Sequence, residues 1–208
     1  MTEQLYFDVG ANIGKWTLSN IQKNSLLKIV AVEASPTTFK KLVENTSGYN
    51  QITCLDKAVS NVPESVTFYE AKYDTISTTN SDWLVDPKSR FAGTPFHQIS
   101  VATISLDALI SKFGSPDLIK IDVEGGEYSA LLSLTQKTPQ ICFEWAAETN
   151  DITFQCLNYL RDLGFTNFAI QKQDDYLYRP TTFESFDAVS SKLSQMIPKV
   201  DWGMVWCQ

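Results

Sequence analysis

Apolar and polar positions alternate in blocks along this chain, and the blocks switch between two periods. Leu5–Val9, Leu27–Glu33 ("LKIVAVE"), Gln51–Val59, Ile99–Ile104, "DLIKID", "QICFEWAAE", "FTNFAIQ" and "GMVWCQ" are short apolar runs that predict strands. Between them lie stretches with helical spacing: 15–24, "ASPTTFKKLVENT", "SLDALISKFG", "EYSALLSL", 153–163 and 185–196. Ser35 before Pro36 predicts an N-cap and first helical position, and Ser105 and Gly114 bracket another helix. Ser65–Ala71 alternates and predicts a hairpin arm. From 72 to 98 the pattern lapses into Ser, Thr, Asn, Asp, Gly and Pro with scattered aromatics, which predicts a long functional loop.

Strand–helix repeats with apolar strands imply a mostly parallel sheet covered by helices on both faces. Ligands then bind where strand order reverses, at the carboxyl ends of the strands. The polar residues ending apolar strands are the first candidates: Asp8, Glu33, Asp56, Asp122 and Glu144.

Size and charge narrow the reading. The 208 residues suit one domain spanning 1–208, and an apolar fraction of 43% with 12% aromatics is globular. A net charge of −7 argues against nucleic acid as the main partner. Four cysteines without a C-x-x-C pair, no basic-then-apolar leader and no membrane-length apolar run predict a soluble, cytoplasmic protein.

The first loop reads Asp8-Val9-Gly10-Ala11-Asn12-Ile13-Gly14. Its G-x-x-x-G spacing departs from the dinucleotide pattern, and a carboxylate at Asp8 would repel a pyrophosphate. It suits a ligand carrying cationic groups and a ribose, as S-adenosylmethionine does. Glu33, 23 positions after Gly10, is spaced to accept hydrogen bonds from ribose hydroxyls. Asp56, Lys57 and Ala58 end the third strand, where an adenine would lie. In "KIDVEGGEYSALL", Lys120, Asp122 and Glu124 alternate along the strand and its exit.

"FDVGANIGKWT", "VEASPTTFKKLVEN", "ISLDAL" and "LIKIDVEGGEYSALL" together resemble the FkbM-type methyltransferases, which use S-adenosylmethionine. The resemblance runs over roughly residues 5 to 145. It implies the Rossmann-like class I fold, a seven-stranded sheet with an antiparallel last strand, and O-methylation of a hydroxyl, often on a sugar or a secondary metabolite. It also implies that Asp8, Gly10, Asn12 and Gly14 line the methionine part of the cofactor and that Thr17 reaches its carboxylate. Glu33 would hold the ribose with Ala34 and Ser35 beside it, Asp56, Lys57 and Ala58 would flank the adenine, and Asp122 would face the sulfonium and the acceptor.

For chemistry, Asp122, Glu124 and the single histidine, His97, are candidate bases. Asp122, Glu124 and Glu144 also suit Mg2+. Trp83, Phe96, Glu144, Trp145 and Glu148 are candidate contacts to a small-molecule or glycan acceptor. Family members commonly carry an N-terminal segment over the cofactor, so a partner chain or a missing domain would serve to cover it here. The competing classes are a dinucleotide-dependent oxidoreductase and a non-catalytic domain that keeps the fold.

Overall fold

The computed structural model describes residues 3–208. Its main sheet has seven strands: β1 (Gln4–Val9), β2 (Leu27–Val32), β3 (Ile52–Leu55), β7 (Leu118–Ile121), β8 (Ile141–Ala146), β9 (Phe168–Lys172) and β10 (Trp202–Cys207). They lie in the order β3-β2-β1-β7-β8-β10-β9. β10 runs antiparallel to both neighbours, and the pairs among β1, β2, β3, β7 and β8 are parallel. Strand order reverses between β1 and β7, which fixes where a ligand crevice opens.

Both sheet faces are covered, as near-continuous apolar strands require. On one face Phe7, Val9, Val30, Ile119, Ile121, Phe143 and Val205 meet α4 (Leu106–Phe113), α5 (Glu127–Leu131), α6 (Asn150–Asp162) and α7 (Phe186–Leu193). On the other, Ile29, Ala31, Leu118, Cys142 and Trp206 meet α1 (Lys15–Lys23) and α2 (Pro36–Thr46). Serines start three of these helices. Ser35, Ser105 and Ser185 each accept a hydrogen bond from the backbone N–H three residues on.

Two sequence expectations change. The run 51–59 does not stay in one strand: it breaks at Asp56-Lys57, and Ala58–Val59 becomes β4 in a second sheet. That sheet has the order β4-β6-β5, with β5 (Ser65–Ala71) and β6 (Phe96–Ile104) forming an antiparallel hairpin and β4 running parallel to β6. β6 therefore starts three residues earlier than its apolar run suggests, because pairing with β5 recruits the polar His97 and Gln98. The loop inside the hairpin is partly built. Thr78 bridges back to Tyr69, and α3 (Asp82–Val85) packs Trp83 and Leu84 into a small core with Ile76 and Ala146.

Candidate active site

The crevice opens at the ends of β1 and β7. Gly10 has φ +75°, and a Cβ there would stand 1.7 Å from the Asp122 carbonyl oxygen, so the two strand exits approach as only glycine permits. The Asp122 N–H donates to the Val9 carbonyl at 3.0 Å, and the Gly10 and Ala11 N–H groups both donate to Val32 at 3.0 Å. The result is a cavity of about 430 Å³, within the range of small-molecule sites.

Asp8 corrects the sequence reading. Register pairs it with Lys120 across β1–β7, inside the sheet, where it is fully buried and does not line the cavity. The cation it faces is the Lys120 ammonium, 3.1 Å from Oδ1. The other oxygen, Oδ2, accepts from the Thr17 hydroxyl at 2.5 Å. Thr17 is thus spent on Asp8 and is itself buried, and neither it nor Gly14 lines the cavity. Lys120 does line it, donating to the Gly10 carbonyl at 2.9 Å and lying 3.3 Å from Asp122 Oδ2. Burial raises the Asp8 pKa against the pull of Lys120. Burial would lower that of Lys120, but Asp122 and Asp8 outweigh it and hold the ammonium above its ordinary range.

The other lining residues divide into two ends. At the first, Gly10, Asn12, Glu33, Ala34, Lys57 and Ala58 line the cavity. Glu33 accepts from the Asn12 N–H at 2.9 Å through Oε2 and from the Ser35 N–H at 2.8 Å through Oε1. Burial nonetheless raises its pKa to about 7, with those two N–H groups pulling the other way. Residues 74–77 of the long loop close over this end. The Asn12 side chain donates to the Asp74 carbonyl at 2.9 Å, and Asp74 pairs with Lys41 of α2 at 3.0 Å. Asp56 is exposed and outside the cavity, because the strand break turns it outward. Ser35 is also outside it, buried as the α2 cap and bonded to Glu70.

At the second end, Asp122, Glu124 and Glu144 converge, with one oxygen from each lying within 4.8 Å of the others. Glu124 Oε2 accepts from the Trp83 indole N–H at 2.8 Å. Burial first, then neighbouring carboxylates, raise Glu124 and Glu144 well above the ordinary carboxylate range. Glu127 stands behind them, its Oε1 accepting from the Val123 and Gly125 N–H groups at 2.9 and 3.3 Å, which shapes the β7 exit.

Four sequence candidates do not reach this end. His97 does not line the cavity: it is two thirds exposed and 2.9 Å from Glu70. Phe96 stacks edge-on against Tyr69 and does not line the cavity. Trp145 alternates with Glu144 along β8 and so faces the opposite, fully apolar side of the sheet. Glu148 lies outside the cavity with its side chain buried and paired with Arg90, which does line it. Arg90, Phe91, Asp174, Tyr176 and Trp202 also line the cavity. Sequence reasoning passed over Arg90, Asp174, Tyr176 and Trp202, which sit in irregular segments or at a strand's first residue, where no periodicity marks them.

Comparisons with known proteins agree with this architecture. No curated protein matches the chain. Among solved structures, it is similar to a precorrin-6y C5,15-methyltransferase from Geobacter metallireducens, with a TM-score of 0.54 and 12% identity over 100% of this chain and 81% of that one. It is also similar to a fibrillarin from Aeropyrum pernix, solved with natively bound S-adenosyl-L-methionine. There the TM-score is 0.52 at 10% identity, over 99% of this chain and 66% of that one. These likenesses show the class I methyltransferase fold. The methyltransferase FkbM domain matches residues 8–167, which takes in the glycine loop, Glu33 and the three converging carboxylates. The chain therefore belongs to the FkbM family of S-adenosylmethionine-dependent methyltransferases.

Proposed function

We propose that the protein transfers the methyl group to a hydroxyl oxygen of a carbohydrate, free or part of a glycosylated metabolite. The observation that carries this reading is the meeting of Asp122, Glu124 and Glu144 at one end of the cavity. A neutral hydroxyl is a poor nucleophile until its proton has somewhere to go. Buried carboxylates with raised pKa values, as at Glu124 and Glu144, are better proton acceptors than ordinary ones. Trp83 and Phe91, packed edge-to-face at 5.2 Å between ring centres, offer a flat apolar wall beside them.

The residues present fit the cofactor. Glu33 keeps both oxygens at the cavity end of β2 and has lone pairs beyond the two it commits to Asn12 and Ser35. It would hold the ribose, with Ala34, Lys57 and Ala58 around the base and Gly10 and Asn12 along the methionine part. S-adenosylmethionine supplies a methyl carbon activated by positive sulfur. The protein has to orient the acceptor oxygen and take its proton. Lys120 tethers the Gly10 carbonyl and Asp122 to each other, which fixes the two strand exits. Glu124 is steadied by Trp83, and Glu124 and Glu144 would take the proton, with Asp122 beside them.

The all-oxygen donor set of Asp122, Glu124 and Glu144 also suits a hard divalent cation such as Mg2+, which would supply positive charge at this end. One experiment addresses both readings: mass spectrometry of methyl transfer onto a panel of sugars, with and without EDTA, alongside calorimetry with S-adenosylhomocysteine. Asp122→Asn is expected to bind S-adenosylhomocysteine and lose transfer. Failure of the wild type to methylate any sugar would overturn the acceptor class, and insensitivity to EDTA would remove the cation.

A further inference from the structure

We propose that Arg90 binds the acceptor directly, among carboxylates that favour a neutral sugar over an acidic one; this rests on the carbohydrate reading above. Arg90 comes from the irregular segment 72–98 and lines the acceptor end of the cavity. Its guanidinium is held edge-on by Glu148: Nε donates to Oε1, and Nη2 donates to Oε2 at 2.7 Å. Nη2 also reaches the Asp201 carbonyl at 3.3 Å, and Glu148 Oε2 accepts from the Lys199 N–H at 3.1 Å. The Glu148 side chain is only 1% exposed, so the pair is a built fixture joining the long loop to the segment before β10.

That anchoring uses one edge of the guanidinium and leaves Nη1 without a partner among the described residues. A planar fork locked by a buried carboxylate presents its remaining donors in one direction, with little rotamer freedom left to lose on binding. Charge sets what those donors take. Glu148 already balances the guanidinium, and Glu124 and Glu144 are close enough to act on it electrostatically. A uronate carboxylate would add a further negative charge to this end, whereas a ring or hydroxyl oxygen accepts the hydrogen bond without one. Arg90 thus orients a neutral sugar oxygen beside the carboxylates that take the proton.

The test measures methyl transfer to neutral methyl hexosides and to hexuronates, with S-adenosylhomocysteine calorimetry on the same samples. Arg90→Lys keeps the charge and loses the fork. The pair Arg90→Gln with Glu148→Gln removes both charges and leaves no buried carboxylate alone. Each variant is expected to raise the hexoside KM about tenfold, the worth of one hydrogen bond, with kcat and S-adenosylhomocysteine affinity little changed. An unchanged KM, a matching loss of S-adenosylhomocysteine binding, or a wild-type preference for hexuronates would overturn the assignment of Arg90 and leave the carbohydrate reading standing. A wild type that methylates no sugar at all would overturn both.

Discussion

Glu33 offers the most quantitative check, because its raised pKa ties folding and cofactor binding to the same proton. The perturbation is Glu33→Gln. In the folded chain the carboxyl titrates at about 7, against an ordinary value of 4.5. Between those values the folded state holds the proton more tightly than the unfolded state, so wild-type stability falls as pH rises through the window. Two and a half units at about 1.4 kcal/mol each give a loss of about 3 kcal/mol, complete above pH 7. Glutamine cannot titrate and lacks that slope. It can accept from only one of the Asn12 and Ser35 N–H groups, a handicap of about 1–3 kcal/mol that does not vary with pH. Urea unfolding at about pH 5 should therefore show the variant behind, and at about pH 8 the gap should close or reverse, a change of about 2.5 kcal/mol. A gap constant to within about 0.5 kcal/mol across that range would refute the reasoning.

The same proton should appear in binding. If the ribose hydroxyls donate to Glu33 as proposed, they favour its charged form, so S-adenosylhomocysteine should displace a proton near pH 7. Calorimetry in buffers of different ionisation enthalpy should find about half a proton released per cofactor at that pH in the wild type and none in Glu33→Gln.

Three further outcomes follow from the geometry. Gly10→Ala must place a methyl group 1.7 Å from the Asp122 carbonyl oxygen at a φ of +75°, so urea melts should show a loss exceeding about 3 kcal/mol or no folded protein. Lys120→Met strands the buried Asp8 carboxyl and should cost about 3–5 kcal/mol, whereas adding Asp8→Asn should recover much of it in the same melts. His97→Ala should leave methyl transfer unchanged in the mass-spectrometric assay, since the imidazole lies outside the cavity on an exposed strand.

Strand and helix periodicity carried most of the main sheet, because buried parallel strands and capped helices are local patterns. Ser35 and Ser105 cap helices as their positions suggest. The glycine loop and the strand-end carboxylates Glu33, Asp122 and Glu144 were legible for the same reason: a polar residue ending an apolar strand has few other uses. What escaped depends on pairing between distant segments. Asp8 and Lys120 each stand out as a charge in a buried strand, but only their shared register makes them partners. The second sheet arises because β6 satisfies two neighbours at once, one parallel and one antiparallel, which no single run of residues announces. Glu148 and Trp145 were placed at a strand's end by distance along the chain, whereas facing is decided by alternation and by the Arg90 pair.

The position of β10 also orders events during synthesis. It lies between β8 and β9, so β9 has no neighbour in the main sheet until the final strand has been made and inserted. Asp174, Tyr176 and Trp202, which wall the cavity, come from the same late stretch. A chain emerging from the ribosome can assemble β1, β2, β3 and the glycine loop early, as domains growing from their N-terminal side do. It cannot close its chamber until residue 207 is free to slide between two strands already in place. The glycine loop and Glu33 are thus in place in a nascent chain well before the cavity wall is complete, and methyl transfer has to await the insertion of β10.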